Sequence, residues 1–329
     1  MMFENHTNKR VLVVGSWAKE EITIANMKSY PGMEVYCYMD TPNPGIRMRA
    51  DGFRIGRLYD VAAIIDYARE TGVNLTLVTT AAPLAAGLVD AMKKENLNVF
   101  GPTREAARLE SDKAFTRELM RQYVPEAVPA FKVCDTVGEA VNFARELDWQ
   151  VAVKPVGLTD GLGVKVFGIQ LADNSAVEGY IKEIHSKKIG GDSRVIVEER
   201  MKGEEFTVQC FVYEDTFVPT PAVQDFKKLL NDEKGPNTAS MGSYADSARV
   251  LPFMNNDDYQ QAVDIIKKTL AAFRKETGHW CGGFLYGQFM LCSDGVKLVE
   301  YNFRPGDPEW MNTVSVLQAN IAEVVEGLM

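Results

Sequence analysis

The chain has 329 residues, 46% of them hydrophobic and 25% charged, a balance that supports a packed core and excludes the low-hydrophobicity composition of a disordered protein. That length suits about two domains. With 36 basic against 45 acidic side chains the net charge is −9, so the chain brings no positive field to a nucleic acid or an anionic membrane. No apolar run reaches the roughly 18 residues of a membrane span, and the polar opening MMFENHTNKR is unlike a signal peptide. Five scattered cysteines (Cys37, Cys134, Cys210, Cys281, Cys292) without a CxxC fit reduced thiols in a cytoplasmic protein. His6, His185 and His279 lie far apart, which leaves little material for a zinc site or a histidine-based triad.

In chain order, RVLVVGS, EVYCYM, NLTLVTT and NVFGP read as buried strands, with VAAIIDYARETG and LAAGLVDAMKKEN as helices between them. This alternation predicts right-handed βαβ units, a mostly parallel sheet, and a ligand site beyond the carboxyl ends of the strands. The pattern changes at Gly101-Pro102. A helix over about 103–123 is followed by strand AFKVC, helix TVGEAVNFAREL, strand VAVKP, the glycine loop VGLTDGLGV, a helix near 175–185 and strand RVIVEER. Strand FTVQCFVY, a polar segment over 224–243 and a helix over about 257–277 come next. Strands FLYGQFML and VKLVEYNF flank the turn signal SDG, and a helix over 313–328 closes the chain.

Several stretches carry chemistry. Gly157, Gly161 and Gly163 let backbone N–H groups approach a phosphate, although a hairpin loop needing positive φ has the same composition. Lys154, inside the apolar strand before that loop, must find an anion. Lys113 is either a second cation for the same ligand or a solvated helix lysine. VIVEERMKGEEF exits a strand into carboxylates, as a nucleobase edge requires or as any charged turn does. Glu300 and Asn302, two apart in a strand, share a face, and the hairpin brings Gln288 beside them. These oxygens suit Mg²⁺ with phosphates completing its shell; the plain alternative is a polar sheet face. Arg304 offers a fork for carboxylate or phosphate beside the acidic turn GDPE.

The stretches FGPTREAARLESDKAFTRELM, VKPVGLTDGLGV, VIVEERMKGEEFTV, QDFKK, GPNTASMGSY, GGFLYGQFM and EYNFRPGDPE occur in the order found in one family. The chain resembles the ATP-grasp superfamily and, within it, the glycinamide ribonucleotide synthetase family. The resemblance implies an α/β chain. An N-terminal parallel-sheet, Rossmann-like substrate domain would cover 1–110, and an ATP-grasp α+β domain 111–329, with a lid subdomain at about 125–200. It also implies ATP-dependent joining of a carboxylate to an amine through an acyl phosphate, with ATP and Mg²⁺ (Mn²⁺ as a substitute), in a cytoplasmic monomer or homodimer. Small molecules would be its partners, with no nucleic acid and no membrane.

Carried over by position, Lys113, Lys154 and the loop with Gly157, Gly161 and Gly163 meet the nucleotide phosphates. Glu198, Glu199 and Met201 border the adenine, and Glu205 the ribose. Glu300 and Asn302, with Gln288 added, hold the metal. Asp225, Lys227, Arg304 and Asp307 handle the amino acid and the reaction centre. Ser16, Trp17, Lys19 and Pro83 are the acceptor-site candidates. The departures from the family fall mostly in the N-terminal part. Its first loop, Gly-Asn-Gly-Gly-Arg-Glu-His, reads GSWAKEE here; its Gly-Pro-Glu-Ala-Pro-Leu turn reads TTAAPL; a lid lysine is Leu162; and the histidine after Asp225 is Phe226. The family's final domain is absent from this sequence. The retained Asp225, Arg304 and Asp307 imply glycine or another small amino acid as the carboxylate, while the bulk of Trp17 and the charges of Glu20 and Glu21 predict an altered acceptor amine. The alternatives are the phosphoribosylamine–glycine ligase itself, in a minimal or split form, and a non-catalytic ATP-binding regulator. GSWAKE is no dinucleotide fingerprint, which sets a dehydrogenase aside.

Overall fold

The computed structural model describes residues 9–157, 163–231, 234–246 and 248–329. The N-terminal sheet contains β1 (Lys9–Val14), β2 (Met33–Met39), β3 (Gly52–Ile55), β4 (Leu75–Val78) and β5 (Val99–Phe100), paired in parallel in the order β3-β2-β1-β4-β5. Val11 and Val13 enter the core on one face, Leu12 and Val14 the core on the other, as the two-residue period of a strand requires. Strand β3 was not expected. GFRI sits at the sheet edge with Phe53 and Ile55 exposed, so it lacks the apolar run that marks the buried strands.

A small antiparallel sheet follows: β6 (Phe131–Cys134), β7 (Val151–Pro155), β8 (Lys165–Val166) and β9 (Val195–Glu199), in the order β6-β9-β7-β8. The large sheet is built on β10 (Gly203–Tyr213), with β11 (Thr216–Pro219) and β12 (Val223–Asp225) pairing to it. Beyond the hairpin β13 (Lys228–Leu230) and β14 (Lys234–Asn237), β15 (Ser243–Ala245) pairs with β12. Strands β16 (Gly282–Cys292) and β17 (Gly295–Asn302) complete it on the other side of β10. The expected polar segment 224–243 therefore holds short strands, too brief and too polar to show a period.

Two expected helices are split. Asp112 interrupts the first, its Oδ1 accepting from Phe115 N at 3.0 Å, so that Lys113 opens the helix Lys113–Tyr123. Asn320 interrupts the last, accepting from Ala322 N at 2.9 Å and separating Glu309–Val316 from Ile321–Leu328.

Those last two helices pack on the helix Ala18–Lys28 of the N-terminal domain. The indole N–H of Trp310 donates to Thr23 Oγ1 at 2.9 Å, and Asn26 receives Ile321 N at 3.0 Å while donating to Ala319 O at 3.2 Å. The Trp310 ring meets Phe284 and Phe211 at 5.1 and 5.5 Å, and Phe284 meets Phe100 of β5 edge-on at 5.0 Å. Gly283 has φ +130° and lies so close to the N-terminal domain that a Cβ would come within 2.9 Å of Pro102 Cδ. Trp310→Ala removes the fully buried centre of this joint. It is expected to cost about 3–5 kcal/mol, the usual range for emptying a buried aromatic site, read as a lower midpoint of chemical denaturation.

Candidate active site

The two antiparallel sheets meet at a buried charge cluster. Glu198 on β9 faces Arg117 and Lys154. Its Oε1 accepts from Arg117 Nε at 2.5 Å, and its Oε2 lies 3.0 Å from Arg117 Nη2 and 2.7 Å from Lys154 Nζ. All three side chains are nearly inaccessible. Burial by itself would raise the Glu198 pKa, but the two cations overturn that and hold it at about 2. One anion for Lys154 is thus provided within the protein, and beyond Glu198 and the Val299 carbonyl its ammonium has a third N–H to offer. The Glu198 carboxylate is turned inward, and both of its oxygens accept from those cations. Arg117 carried no expectation at all. Its spacing of four from Lys113 puts both cations on one helix face.

Lys113 reaches the start of the glycine loop, donating to Gly157 O at 2.9 Å. Gly157 packs directly on the backbone of Gly190, where any side chain would collide, and Gly163 O accepts from the Tyr180 hydroxyl at 2.7 Å. Gly161 and Leu162 lie outside the described residues. Glu199 ends β9, exposed, with its N–H on Ala130 O at 2.8 Å, and Met201 follows half-buried.

Alternation gives the large sheet one apolar face (Phe206, Val208, Phe289, Leu298) and one polar face. On the polar face Gln288 stands opposite both Thr207 and Glu300, and Tyr286 opposite Asn302. Gln288 Nε2 donates to Glu205 Oε2 at 2.6 Å, and Asn302 Nδ2 to Glu300 Oε1 at 3.4 Å. Lys227 also reaches Glu205 Oε2, at 3.3 Å. Burial lowers the pKa of Lys227, but Glu205, Glu300, Asp225 and Glu309 together outweigh it, and the ammonium is held above its ordinary range. Asp225, on the other hand, is pushed up by burial against the bonds of Ser240 and the charge of Lys227. Glu205 is drawn by Lys227 and Gln288 toward the metal candidates.

Glu300 supplies one carboxylate, Asn302 and Gln288 amide oxygens. Among the described residues no three His, Cys, Asp or Glu side chains form a metal cluster. One carboxylate with neutral oxygens fits Mg²⁺ whose remaining positions go to phosphates and water.

The segment after β17 is tied down at both ends. Glu110 accepts from Phe303 N at 2.8 Å and from Arg304 Nε at 3.1 Å, while Arg304 Nη2 donates to Asn302 Oδ1 at 3.3 Å. Gln209 accepts from Gly306 N at 2.8 Å, and Tyr286 donates to Glu309 at 2.8 Å. The GDPE turn is therefore an anchored loop with Glu309 buried, and Asp307 stands between Arg304 and that anchor.

The first N-terminal loop faces this segment. Gly15 (φ +148°) lets the chain pass over Glu20, whose carboxylate accepts from Trp17 N at 2.7 Å and lies 2.7 Å from the Thr79 hydroxyl. Glu21 turns the other way to Arg49 at 2.8 Å. The two carboxylates expected to repel an anionic acceptor are thus a buried helix cap and a surface ion pair. Both sit in the first turn of the helix Ala18–Lys28, and sequence periodicity says nothing about which partner a side chain there turns to. Ser16 uses its hydroxyl on Asp40, donating to Oδ1 at 2.5 Å and accepting from N at 2.9 Å. Lys19 is buried, which lowers its pKa; Glu20, Arg304, Asp307 and Glu110 all act on its charge. Trp17 is 58% exposed at the rim. Pro83 is buried within the helix Ala81–Ala86 that follows β4.

A parallel-sheet domain leading into two antiparallel sheets, with Lys154 on one and the candidate oxygen ligands on the other, is the ATP-grasp architecture. Residues 9–110 match the family described as phosphoribosylglycinamide synthetase, N domain, and residues 111–310 its ATP-grasp (A) domain. The phosphoribosylamine–glycine ligase of Methanothermobacter thermautotrophicus is 42% identical over 321 residues, spanning 97% of this chain and 72% of that one. That of Methanopyrus kandleri is 41% identical over 326 residues, spanning 97% and 73%. The crystal structure of phosphoribosylamine–glycine ligase from Thermotoga maritima superposes with a TM-score of 0.77 at 27% identity, covering 93% and 72% of the two chains. The biotin carboxylase of Campylobacter jejuni shares the fold alone, with a TM-score of 0.73 at 16% identity over 97% and 70%. The chain belongs to the phosphoribosylglycinamide synthetase family. It is an ATP-grasp ligase that forms C–N bonds, of a family that uses ATP with Mg²⁺. No helix among the described residues is long and apolar enough to cross a membrane.

Because the folded pKa of Glu198 lies below its ordinary 4.5, its contribution to stability is complete above about pH 4.5 and is lost as pH falls toward 2. Glu198→Gln is expected to remove about 3–5 kcal/mol at neutral pH, because it leaves two cations buried without their anion. It should also flatten the acid limb of stability between those pH values, as urea titrations across that range would show.

Proposed function

We propose that this chain joins glycine to phosphoribosylamine at the expense of ATP, the reaction named for its relatives at 41–42% identity. The observation that carries this reading over an altered acceptor is the first N-terminal loop. Glu20 is engaged by Trp17 N and the Thr79 hydroxyl and Glu21 by Arg49, and Lys19 lies within the fields of Arg304 and Asp307. A phosphorylated amine then meets no free carboxylate from Glu20 or Glu21, and the objection raised by the composition of this segment disappears. The domain boundary is placed at 110/111, with residues of about 125–200 as the lid.

In this reading Lys113, Lys154 and the glycine loop lie along the nucleotide phosphates, with Glu199 and Met201 at the base and Glu205 between ribose and metal. Glu300, Asn302 and Gln288 would hold Mg²⁺, with Mn²⁺ able to use the same oxygens; the ion's part is to neutralise charge on the transferring phosphoryl group. The glycine carboxylate takes the γ-phosphoryl group to become an acyl phosphate, and the amine displaces phosphate from it. Lys227, kept protonated by its ring of carboxylates, supports the negative charge that builds up during both steps. Arg304, steadied by Glu110 and Asn302, orients the carboxylate, and Asp307 faces the incoming ammonium of glycine. Trp17 at the rim and Pro83 below it shape the acceptor end, while Ser16 holds the loop to Asp40.

Two outcomes are expected. Phosphoribosylamine generated in situ with glycine and Mg-ATP should give glycinamide ribonucleotide, followed by mass, with kcat/KM in the ordinary enzyme range of about 10⁴ M⁻¹s⁻¹ or above. Product formed with another amine and none with this one would refute the assignment. Glu300→Ala should abolish turnover while the folded far-UV spectrum is retained; wild-type ADP release from that variant would remove Glu300 from the metal site.

A further inference from the structure

The ladder between β16 and β17 is irregular at one place. Gln288 pairs with Glu300 and Phe289 with Leu298, so Val299 has no partner opposite it. A bulge of this kind takes a residue out of the ladder and re-aims its neighbours. Here the carbonyl of Val299 turns to the buried charge cluster of the other sheet. Arg117 Nη2 donates to it at 2.7 Å and Lys154 Nζ at 3.2 Å. The residue after the bulge is Glu300, and Asn302 follows on the same face. Arg117 is itself locked by two bonds to Glu198, at 2.5 and 3.0 Å. A rigid guanidinium thus uses the second N–H of its Nη2 to fix one peptide oxygen in β17, one peptide bond away from the metal-site carboxylate.

We infer that Arg117 is a positioning residue for the metal site: through the Val299 carbonyl it sets where Glu300 and Asn302 present their oxygens. This rests on the reading of Glu300 and Asn302 as the Mg²⁺ residues. The planar fork matters because Nε and Nη2 serve Glu198 while Nη2 also serves Val299. A lysine at 117 keeps the charge but has no rigid second donor to span both. Partners of this outer kind typically change metal affinity or activity by about 10–100-fold when altered.

The test uses the full chain and a readout independent of turnover. Mn²⁺ is titrated with protein in the presence of ADP and the free ion is followed by electron paramagnetic resonance; ADP binding without metal is measured by calorimetry. For Arg117→Lys the affinity for Mn²⁺ with ADP should fall by about 10–100-fold, with metal-free ADP binding unchanged. In a Glu300→Gln background the same substitution should add nothing further to the loss of metal. Arg117→Met is compared by thermal midpoint, and Arg117→Lys, which leaves Glu198 a cation, is the deciding variant. Unchanged metal affinity in Arg117→Lys overturns the inference. So does an equal loss of ADP affinity with and without metal, the result expected of a purely structural arginine. If the wild-type chain binds ADP but no Mn²⁺ with it, the metal site itself is refuted, and if Glu300→Gln binds Mn²⁺ as the wild type does, Glu300 is not its ligand; each result is separate from a failure confined to Arg117.

Discussion

The arrangement of the cleft depends on one buried cluster, Arg117–Glu198–Lys154. Each of these charges loses several kcal/mol of hydration when enclosed, and only their mutual contacts, with the Val299 carbonyl as a further acceptor, offset that loss. The three residues come from a helix, from β9 and from β7, and the acceptor from β17. The cluster forms only when the small sheet, the large sheet and that helix share a single relative placement. Apolar packing of the same volume could hold these elements with equal strength, but it would tolerate small shifts that directional bonds do not.

A second joint sets the other wall. The aromatic contacts of Trp310, Phe284, Phe211 and Phe100 and the close approach at Gly283 hold the N-terminal domain with the start of the helix after β1 near the segment 304–307. Lys19 of the N-terminal domain therefore lies within the fields of Arg304, Asp307 and Glu110. Acceptor loop and reaction loop are neighbours because two helices at the end of the chain pack on the helix that follows the first strand.

This geometry also accounts for an acidic protein handling anions. The carboxylates near the cleft are largely engaged: Glu198 by two cations, Glu20 by a backbone N–H and the Thr79 hydroxyl, Glu309 by Tyr286, Glu110 by Arg304 and the Phe303 N–H. Lys113 and Lys227 remain at its edges, with Lys227 firmly protonated. The net charge of −9 describes the whole surface; the local field depends on which side chains are paired.

Much was legible in the residues alone. Strand and helix periods identify the two-part α/β organisation, because burial repeats every two or about 3.6 residues whatever the fold. The two-residue spacing of Glu300 and Asn302 and the SDG turn bring Gln288 opposite Glu300, since pairing in a hairpin is local. Edge strand β3 and the short strands within 224–243 stayed hidden, having no apolar period to show. The partners of charged groups were equally invisible: nothing local says that Glu198 meets Arg117 and Lys154, that Glu20 caps its own helix from inside, or that a bulge frees the Val299 carbonyl for two cations. These pairings join residues far apart in the chain, and only close packing determines which donor and acceptor are within 3 Å of each other. Sequence therefore determined the elements and the chemistry on offer, while tertiary structure decided which charges face the cleft and which are consumed in holding it.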